Sequence, residues 1–344
     1  MQSTESFVLY GPNDLRKEER SLPERAGDDV LIEVNRVGVC GSDVHYVQHG
    51  RCGVFNPSRP FVLGHEFAGT AVEGPEDLVG RRVAVMPLLY CGSCRFCLAG
   101  RTNICPNSHF LGSARRSPTD GGFSRYVIAP ARNCYLMPEN LSFEVAALLE
   151  PLSVAMHAVN RAGPIQHRKV LVTGGGPIGQ LIAMVVRHAG AGLTALSDIE
   201  EKPLAFAREQ GIDLVLNPRD EAMSEQVDSA TGGIGFDIVF EASGAEAALV
   251  QGIESTARGG TIVQVGTMPD QVSLPANLIM TRELNLVGTF GFADVFQDAL
   301  DLAASGRLNL EPLISRTYPF EELIDAVEAA RVNKEMIKVQ VAVA

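Results

Sequence analysis

The amino-acid sequence predicts an α/β protein in which a mainly β domain is joined to a doubly wound parallel sheet. Two contrasting patterns along the chain support this prediction. Up to about residue 150, short runs rich in β-branched residues alternate with Gly- and Pro-rich turns. From Lys169 onward, apolar runs of strand length alternate with helical patterns of roughly 10–15 residues. Strands separated by helices of this kind pair in parallel, with the helices on both faces of the sheet.

The first half contains four segments that predict strands, followed by one helical pattern. The strand segments lie at 30–40 (VLIEVNRVGVC), 69–74 (GTAVEG), 81–87 (RRVAVMP) and 123–129 (FSRYVIA). No long helical periodicity is found before about residue 143, so we expect an all-β domain, a distorted barrel. Residues 142–163 then place apolar side chains at helical spacing, and the pair Gly163-Pro164 predicts where that helix ends.

The second half alternates strands with helices. The predicted strands are, in order, KVLVTG, LTALSD, DLVLN, FDIVFEAS, GTIVQVG and LNLVGTF. Helices are predicted for PIGQLIAMVVRHAG, for PLAFAREQG and for residues from about 245 to 258. A further helix (FADVFQDALDLAASG) and a last strand (IKVQVAVA) follow residue 290. We expect this carboxy-terminal segment to return to the first domain.

Composition and charge exclude several classes of protein. Of the 344 residues, 46% are hydrophobic and 20% are charged, which is typical of a soluble globular protein with an ample core. No apolar run approaches the roughly 20 residues that a membrane span needs. A net charge of −12 disfavours nucleic-acid binding, because the protein would repel the phosphates. The opening MQSTESFVLYGPND contains no apolar signal segment, so we expect a cytoplasmic protein with reduced cysteines.

The most informative motif is a group of cysteines with the spacing C-x2-C-x2-C-x7-C. Its members are Cys91, Cys94, Cys97 and Cys105. Four thiolates this close in sequence can surround one Zn²⁺ tetrahedrally and leave no position open, which is typical of a structural site. The glycine and polar residues between them suit a tight loop with no room for a helix. The alternatives are a pair of disulfides, which would need an oxidising compartment, or reduced cysteines that merely lie close together.

A glycine-rich turn follows the first strand of the second half. Gly174, Gly176 and Gly179 form G-x-G-x-x-G, with Pro177 and Ile178 between the last two, directly after KVLVT and directly before a helix. Glycines at these positions allow a tight turn, close approach of a pyrophosphate and close packing of the helix on the strand. The amino terminus of the helix attracts the phosphates. The sequence therefore predicts a Rossmann dinucleotide site.

The second strand of this sheet ends at Asp198. An acidic side chain at this position accepts hydrogen bonds from the hydroxyl groups of the adenosine ribose. A 2′-phosphate there would meet Asp198, Glu200 and Glu201, with only Lys202 nearby to compensate. We therefore expect NAD rather than NADP. The alternative is that Asp198 is a solvated turn residue.

Two segments of the first half, and one residue at its end, carry the ligand types of a catalytic metal site. The segment GVCGSDVHY contains Cys40, Ser42, Asp43, His45 and Tyr46, and the segment LGHEFAG contains His65 and Glu66. Glu150 follows at the junction of the two halves, where it could ligate the ion directly or through water. Cysteine, histidine and carboxylate form open zinc sites in which substrate takes the remaining position. Neighbouring strand residues point to opposite faces, so His65 and Glu66 can share one ion only if Gly64 lets the backbone depart from strand geometry. The alternative is a core cysteine and an ordinary His–Glu pair at the surface.

These motifs resemble those of the zinc-containing medium-chain dehydrogenases over essentially the full length of the chain. The matching segments are VCGSD (39–43), GHEFAG (64–69), the four-cysteine segment, EPLSVA (150–155), GGGPIG (174–179) and IKV (337–339). Glu66 after His65, with Glu150 in EPLSV, is similar to the polyol dehydrogenase branch. The resemblance implies a GroES-like catalytic domain with both zinc sites over residues 1–155, an NAD-binding Rossmann domain over 156–290 and a return segment over 291–344.

The resemblance also implies roles for individual residues. The catalytic zinc would be held by Cys40, His65 and Glu66, with Glu150 as a near ligand through water. Ser42 and His45 lie in the region of the proton relay. Tyr46 and Phe110 would belong to the substrate pocket. The family further implies a homodimer or a homotetramer.

A narrower resemblance concerns the substrate. HFLGSA and DGGFSRY, with PLIS and YPF farther along, are similar to the bacterial L-idonate 5-dehydrogenases, which oxidise L-idonate to 5-keto-D-gluconate. Gly291 stands where this branch often carries an arginine that meets polar groups of the substrate. The carboxylate of a sugar acid would then need another cation, and Arg115, Arg116 and Arg51 are the candidates.

The expected reaction transfers a hydride from a secondary alcohol to NAD⁺ at a zinc ion that acts as a Lewis acid. The expected substrate is a small sugar acid or polyol. A sorbitol- or xylitol-type polyol dehydrogenase is the first alternative to an L-idonate dehydrogenase, and a threonine dehydrogenase is the next. A different class of protein, a dinucleotide-binding protein that has lost turnover, is also considered. It is disfavoured because Cys40, Ser42, His65 and Glu66 are all present.

Overall fold

The structure of the protein is a computed structural model that describes residues 3–344. The chain forms two compact units. The first contains the chain up to Glu150 together with Ala293–Gly306 and Leu310–Ala344, and the second contains Pro151–Phe292 with Arg307–Asn309. The domain boundaries after residues 155 and 290 stay predictions.

The first unit is mainly β. Its strands before residue 150 are β1 (Ser3–Gly11), β2 (Asp14–Ser21), β3 (Asp29–Val39), β4 (Phe61–Val62), β5 (Glu66–Glu73), β6 (Arg82–Val85), β7 (Leu88–Leu89), β8 (His109–Phe110), β9 (Tyr126–Pro130) and β10 (Cys134–Leu136). The helices of this part are α1 (Gly41–His49), α2 (Arg95–Leu98) and α3 (Phe143–Ala146), with 3₁₀ turns at Thr102–Ile104 and Ala131–Asn133.

Helix α4 (Leu149–Ala162) carries the chain into the second unit, in which strands and helices alternate. The strands are β11 (Lys169–Thr173), β12 (Leu193–Ser197), β13 (Leu214–Leu216), β14 (Phe236–Glu241), β15 (Thr256–Gln264) and β16 (Asn285–Gly288). The helices are α5 (Pro177–His188), α6 (Glu201–Glu209), α7 (Met223–Thr231), α8 (Glu246–Ser255) and α9 (Ala276–Thr281).

The carboxy-terminal segment joins the sheet of the first unit. Its elements are α10 (Phe296–Ala304), β17 (Ile314–Pro319), α11 (Leu323–Val332) and β18 (Lys338–Ala342), with 3₁₀ turns at Glu311–Leu313 and Phe320–Glu322. The main sheet runs in the order β10-β6-β5-β3-β18-β17, and β9 also pairs with β3. Strand β3 is therefore central, with Gly38 opposite Glu66 of β5 and Val39 opposite Val339 of β18.

Burial explains why β3 occupies this position. Val30, Ile32, Val34 and Val37 are fully buried, as expected for β-branched side chains in the middle of a sheet. They belong to a core that also contains the aromatic rings of Phe7, Phe61, Phe67, Phe123 and Phe320. No helix in residues 3–344 combines the length and the apolar character needed to cross a bilayer.

Two helices of the first unit contradict the sequence-based expectation. Helix α1 is capped at its start by Cys40, whose N–H is accepted by the carboxylate of Asp43 at 2.9 Å, and at its end by Gly50 in the left-handed conformation. Only Asp43 and Tyr46 of this helix are buried, so its sequence shows little apolar periodicity. The loop of four cysteines contains the single turn α2, which is too short to produce any periodicity. The expectations of an all-β first half and a helix-free loop were therefore wrong.

The second unit contains the predicted doubly wound sheet. Its order is β13-β12-β11-β14-β15-β16, and every pair is parallel. Counted along the sheet, this is the third, second, first, fourth, fifth and sixth strand of the unit, the order of a Rossmann sheet. Leu171, Ala195, Val239 and Ile262 are fully buried at its core. The predicted fold class is confirmed.

Candidate metal and cofactor sites

The four predicted zinc-binding cysteines come together on one short loop. The Sγ atoms of Cys91 and Cys105 are 3.5 Å apart, as are those of Cys94 and Cys97. The Cys91–Cys97 and Cys94–Cys105 separations are 3.9 Å and 3.8 Å. A tetrahedral thiolate site with Zn–S bonds of about 2.3 Å has sulfur atoms about 3.8 Å apart. The loop therefore fits one Zn²⁺ ion, and these separations are too long for disulfide bonds.

Ionisation within this loop is uneven. The backbone N–H groups of Ser93 and Cys94 lower the pKa of Cys91 to about 6. Desolvation and the neighbouring Cys94 sulfur raise the pKa of Cys97 to about 12. Thiolates this close repel one another, so full ionisation of the loop requires a cation.

A second cluster consists of Cys40, His65 and Glu66. One donor atom from each residue lies within 4.8 Å of the others. Cys40 follows β3 and caps α1, whereas His65 and Glu66 lie at the start of β5. Gly64 has a φ of 86°, and a Cβ there would lie 2.4 Å from the ring of Phe123. At this left-handed residue the backbone departs from strand geometry, as the sequence analysis required. The departure lets the side chains of both His65 and Glu66 reach Cys40.

Asp43 is fully buried beside this cluster. Its Oδ1 atom lies 3.6 Å from Nδ1 of His65 and accepts the Gly64 N–H at 3.3 Å, while Oδ2 accepts the Cys40 N–H. Burial raises the pKa of Asp43, opposed by His65. Burial lowers the pKa of His65, but Asp43 and Cys40 outweigh it and hold this pKa well above its usual range. The negative groups that favour a proton here would equally favour a divalent cation.

Two more buried charged side chains adjoin the cluster. Lys338, which is 2% exposed, forms an ion pair with Oε2 of Glu66 and donates a hydrogen bond to the Val39 carbonyl at 3.0 Å. Burial lowers the pKa of Lys338, but Glu66 and Cys40 outweigh it, so the pKa is raised. Glu150 is also buried, and burial raises its pKa to about 7 against the opposing effect of His65. Its carboxylate lies outside the group of three donors, and its role as a ligand through water stays a prediction.

Two of the predicted functional side chains lie at the cluster, and a third lies farther along α1. The Oγ atom of Ser42 is 3.5 Å from Nε2 of His65, and the ring of Phe110 packs edge-on against the ring of His65 at 5.7 Å. His45 is exposed on α1, with its ring 5.8 Å from that of His49. Partial desolvation and the charge of His49 lower the pKa of His45.

The position of Tyr46 favours a structural role over the predicted contact with substrate. Its side chain is 1% exposed and packs edge-on against Phe61. Its hydroxyl group shares a hydrogen bond with Ser113 and accepts the N–H of Ala114, both at 3.1 Å. The tyrosine therefore fixes the segment after β8 to the core of the first unit.

The three predicted carboxylate-binding arginines are hydrogen-bonded within the protein. Arg115 donates to the carbonyl of Asn103, which belongs to the segment of the four cysteines. Burial lowers the pKa of Arg115 to about 10. Arg116 donates to Oδ1 of Asn107 at 2.6 Å, and Arg51 donates to a carbonyl of its own loop at 3.2 Å. These contacts favour structural roles, and a role in binding substrate stays a prediction.

The glycine-rich turn of the second unit has the geometry of a phosphate-binding turn. Gly174 has a φ of 98°, and a Cβ there would lie 2.7 Å from the backbone nitrogen of Ser243. A Cβ at Gly179 would lie 1.8 Å from the carbonyl oxygen of Gly174, so strand and helix approach closely. Gly176 caps α5, Pro177 is in its first turn, and nothing lies within 4 Å of a Cβ at Gly176. The amino terminus of α5 can therefore accept a pyrophosphate.

Asp198 fixes this turn to the end of β12. Its Oδ2 atom accepts the N–H of Gly175 at 2.6 Å, and Oδ1 accepts the N–H of Glu200 at 2.8 Å. Arg219, after β13, donates to the carbonyl of Ile199 at 3.4 Å. The sequence patterns did not reveal this nearby cation, although adjacent strand ends in a doubly wound sheet are the signal that could have done so.

Glu241 is a second residue that the sequence patterns missed. It ends β14 and is fully buried. Its Oε1 atom accepts the N–H groups of Ser243 and Gly244 at 2.8 Å and 2.9 Å. Since Ser243 packs against Gly174, this carboxylate holds the loop on which the glycine-rich turn rests. A carboxylate at the end of the buried strand FDIVFE was the available signal.

Family models match both halves of the chain. Residues 26–139 match the alcohol dehydrogenase GroES-like domain, and residues 177–305 match the zinc-binding dehydrogenase domain. The first match contains Cys40, His65, Glu66 and the loop of four cysteines.

Two well-covered relatives are polyol or sugar-acid dehydrogenases. Sorbitol dehydrogenase of Bos taurus is 37% identical over 343 residues, covering 97% of this chain and 95% of that protein. The crystal structure of L-idonate 5-dehydrogenase from Escherichia coli superposes with a TM-score of 0.93 at 34% identity, covering 99% of each chain.

Two similar solved structures contain a nicotinamide cofactor, which is NADH in one and NADP in the other. An alcohol dehydrogenase of Escherichia coli in complex with NADH has a TM-score of 0.90 at 28% identity, with 100% of both chains covered. A protein of Sinorhizobium meliloti, described as a zinc-binding dehydrogenase and bound to NADP, has a TM-score of 0.89 at 30% identity, with 100% of both chains covered. With relatives more than one third identical over nearly its whole length, this protein belongs to the zinc-containing medium-chain dehydrogenases, in their polyol dehydrogenase branch.

Proposed function

We propose that the protein is a zinc-dependent dehydrogenase that oxidises a secondary alcohol of a polyhydroxylated substrate and reduces NAD⁺. The observation that carries this proposal is the cluster of Cys40, His65 and Glu66, whose donor atoms lie within 4.8 Å of one another. Three protein ligands of mixed type leave a metal position open for substrate, whereas four thiolates fill every position. The mixed cluster is therefore suited to chemistry, and the four-cysteine loop to a structural role.

Both clusters fit zinc by the chemistry of their donors. The loop offers four sulfur atoms at the separations of a tetrahedral site, and the mixed cluster offers thiolate, imidazole and carboxylate. We propose two zinc ions per chain. Zinc bound at Cys40, His65 and Glu66 would supply Lewis acidity, which lowers the pKa of an alcohol hydroxyl group.

The protein's own residues would position the ligands and move the alcohol proton. Asp43 accepts backbone N–H groups from both metal-binding segments and lies 3.6 Å from His65, so it fixes the two segments together. Ser42, whose Oγ atom is 3.5 Å from Nε2 of His65, would accept the proton. His45, on the exposed side of α1, would pass it to solvent. Phe110, which packs edge-on against His65, would exclude water from that side of the ring.

For the cofactor we propose NAD, and we expect the preference for NAD over NADP to be modest. The amino terminus of α5 would bind the pyrophosphate. The carboxylate of Asp198 has about four acceptor sites, and its two backbone hydrogen bonds leave capacity for ribose hydroxyl groups. Its negative charge would repel a 2′-phosphate, whereas Arg219 would attract one. These opposite charges limit the preference.

For the substrate we propose a polyol first and a sugar acid second. A buried carboxylate without a cationic partner costs several kcal/mol. The arginines predicted to meet such a carboxylate, Arg115 and Arg116, are hydrogen-bonded to Asn103 and Asn107. The similarity to sorbitol dehydrogenase also supports a polyol. L-Idonate is the second candidate because of the structural similarity to L-idonate 5-dehydrogenase.

We further propose a homodimer formed through the edge of the parallel sheet. Strand β16 is an edge strand in which Leu286 is 42% exposed. Nearby, Met280 is 67% and Phe290 is 43% exposed. An exposed edge with apolar side chains readily pairs with a strand of another chain. Sedimentation of wild type should show a dimer or tetramer and that of Leu286→Lys a smaller species, whereas a wild-type monomer would contradict this proposal.

The proposed function is tested by a substrate panel and a zinc assay. NADH absorbance is followed with sorbitol, xylitol, L-idonate, D-gluconate and L-threonine, and zinc is counted per chain. We expect two zinc ions per chain and turnover of a polyol with NAD⁺. Turnover of L-idonate alone would favour the sugar-acid function, and turnover of L-threonine alone would contradict both. One zinc ion and no turnover would indicate a dinucleotide-binding protein that has lost catalysis.

A further inference from the structure

Lys338 is a buried cation beside the proposed catalytic metal site. It is 2% exposed, and its partner Glu66 is 1% exposed. Lysine is almost never buried unless it is paired. Its Nζ atom also donates to the carbonyl of Val39 at 3.0 Å, directly before Cys40. The ammonium group therefore contacts both segments that supply the metal-binding side chains.

The space for this ion pair is provided by Gly38. In the register of β3 and β5, Gly38 lies opposite Glu66. A Cβ at Gly38 would lie 2.1 Å from Oε2 of Glu66 and 3.0 Å from Cε of Lys338. Any larger residue would thus displace the carboxylate. The paired strands β5, β3 and β18 bring these three residues together and build a site for the ion pair.

We propose that Lys338 competes with the catalytic metal ion for the carboxylate of Glu66 and thereby weakens the bond between Glu66 and the ion. The inference rests on the proposed function, because it requires a divalent cation at Cys40, His65 and Glu66. Two cations that share one carboxylate oppose each other, and this opposition is reciprocal. A carboxylate held by an ammonium group donates less charge to the metal, so Lys338 keeps the site electrophilic. Lys338 is in this sense a positioning residue.

The inference predicts that removal of the Lys338 side chain strengthens zinc binding at the mixed cluster. Lys338→Met removes the competing cation and leaves Glu66 buried without a partner, which is strongly unfavourable in zinc-free protein. Bound zinc supplies the missing positive charge. The variant should therefore bind zinc at the mixed cluster roughly tenfold more tightly than wild type. Replacing a partner that only oriented the ligand would weaken zinc binding instead.

The test is an equilibrium competition for zinc between the full-length protein and a coloured chelator. His65→Ala, which retains only the zinc of the four-cysteine loop, identifies the signal of the mixed cluster. Lys338→Met and Lys338→Gln should both lower the dissociation constant of that cluster about tenfold. Lys338→Gln keeps a donor for the Val39 carbonyl and decides the question if Lys338→Met does not fold. Lys169→Met is the matched control, because Lys169 bonds to the Thr231 carbonyl in the second unit.

Gly38→Ala separates this mechanism from general damage to the site. The new methyl group would push the Glu66 carboxylate away, so zinc should bind at least about tenfold more weakly, opposite to the lysine variants. Weaker binding in all three variants would mean that each only disturbs packing, and would overturn the inference. Unchanged binding in both lysine variants would overturn it as well. A wild-type protein with only one zinc ion would contradict the proposed function itself. Two zinc ions and normal turnover in wild type, together with unaltered zinc affinity in the lysine variants, would contradict the inference alone.

Discussion

The two clusters of metal-binding side chains differ in how the chain assembles them. The four-cysteine loop takes every donor from residues 91–105, and only Cys105 among its cysteines is buried. The thiolate of Cys91 is stabilised by backbone N–H groups of the same loop. The mixed cluster joins Cys40 to His65 and Glu66 from another segment, and both of the latter are buried. Its neighbours are charged side chains from distant parts of the chain.

This difference separates a site specified by local sequence from one specified by the sheet. The loop can form its donor set from a few turns of backbone, so zinc binding there contributes to folding. The mixed cluster depends on the pairing of β3 with β5 and β18, which also positions Lys338. Hydrogen bonds to Asp43 and the ion pair with Lys338 also hold its donors. Loss of the metal should therefore affect stability at the loop and activity at the mixed cluster.

The largest expected effect is on activity, in His65→Ala. This variant should lose one of two zinc ions and at least about 10³-fold in turnover, or about 4 kcal/mol of transition-state stabilisation. Its melting temperature should fall, because the buried Asp43 loses its partner, but the zinc of the four-cysteine loop should be retained. NADH absorbance, zinc content and thermal unfolding measure the three quantities. Full zinc content with normal turnover would show that the cluster is not the catalytic site.

The next effect is on stability, in Cys97→Ser. Removal of one of the four thiolates should release the zinc of the loop and lower the melting temperature by roughly 5–10 °C, with aggregation. Molecules that stay folded should turn over substrate nearly as wild type does. Cys134→Ser, which alters a buried cysteine outside both clusters, should retain two zinc ions. The assignment fails if Cys97→Ser keeps both its zinc content and its melting temperature.

The dinucleotide site combines both kinds of element, because the glycine-rich turn is local in sequence whereas Asp198 is positioned by the end of β12. Asp198→Ala should lower the ratio of kcat/KM for NAD⁺ to that for NADP⁺ by roughly tenfold, because repulsion of the 2′-phosphate and the ribose hydrogen bonds are lost. Arg219→Ala should raise the same ratio. Steady-state kinetics with both cofactors measures the changes, and a wild-type preference for NADP⁺ would contradict the prediction.

The smallest effect concerns Arg115, which follows the four-cysteine loop in sequence. Its hydrogen bond to Asn103 assigns it to the structural loop, so Arg115→Ala should lower the melting temperature by about 2–4 °C. The KM values for sorbitol and L-idonate should not change. Arg116→Ala, which removes an exposed side chain, is the control and should change neither the melting temperature nor the KM values. A roughly tenfold rise in KM for L-idonate but not for sorbitol would show instead that Arg115 binds the substrate carboxylate.

Much of the fold and of the candidate sites could be predicted from the sequence. The alternation of strands and helices after Lys169 predicted a parallel sheet, and this was confirmed. The helix α1 could not be predicted, because its polar sequence buries only Asp43 and Tyr46 and its start depends on a hydrogen bond between Asp43 and Cys40. Hydrophobic periodicity detects helices that pack an apolar face, and this helix has almost none.

The sequence by itself determined the features whose parts are close together along the chain. These are the spacing of four cysteines, the glycine-rich turn and the His65–Glu66 pair after Gly64. Only the tertiary structure decided that Lys338 pairs with Glu66 in the space left by Gly38. It also decided that Tyr46 and Arg115 form hydrogen bonds to other residues of the protein. In the same way it placed Arg219 beside the loop that follows Asp198. The physical reason is that strand register and burial set these contacts. A buried charge selects its partner by proximity in the fold, and proximity between distant segments leaves no periodic or local signal in sequence.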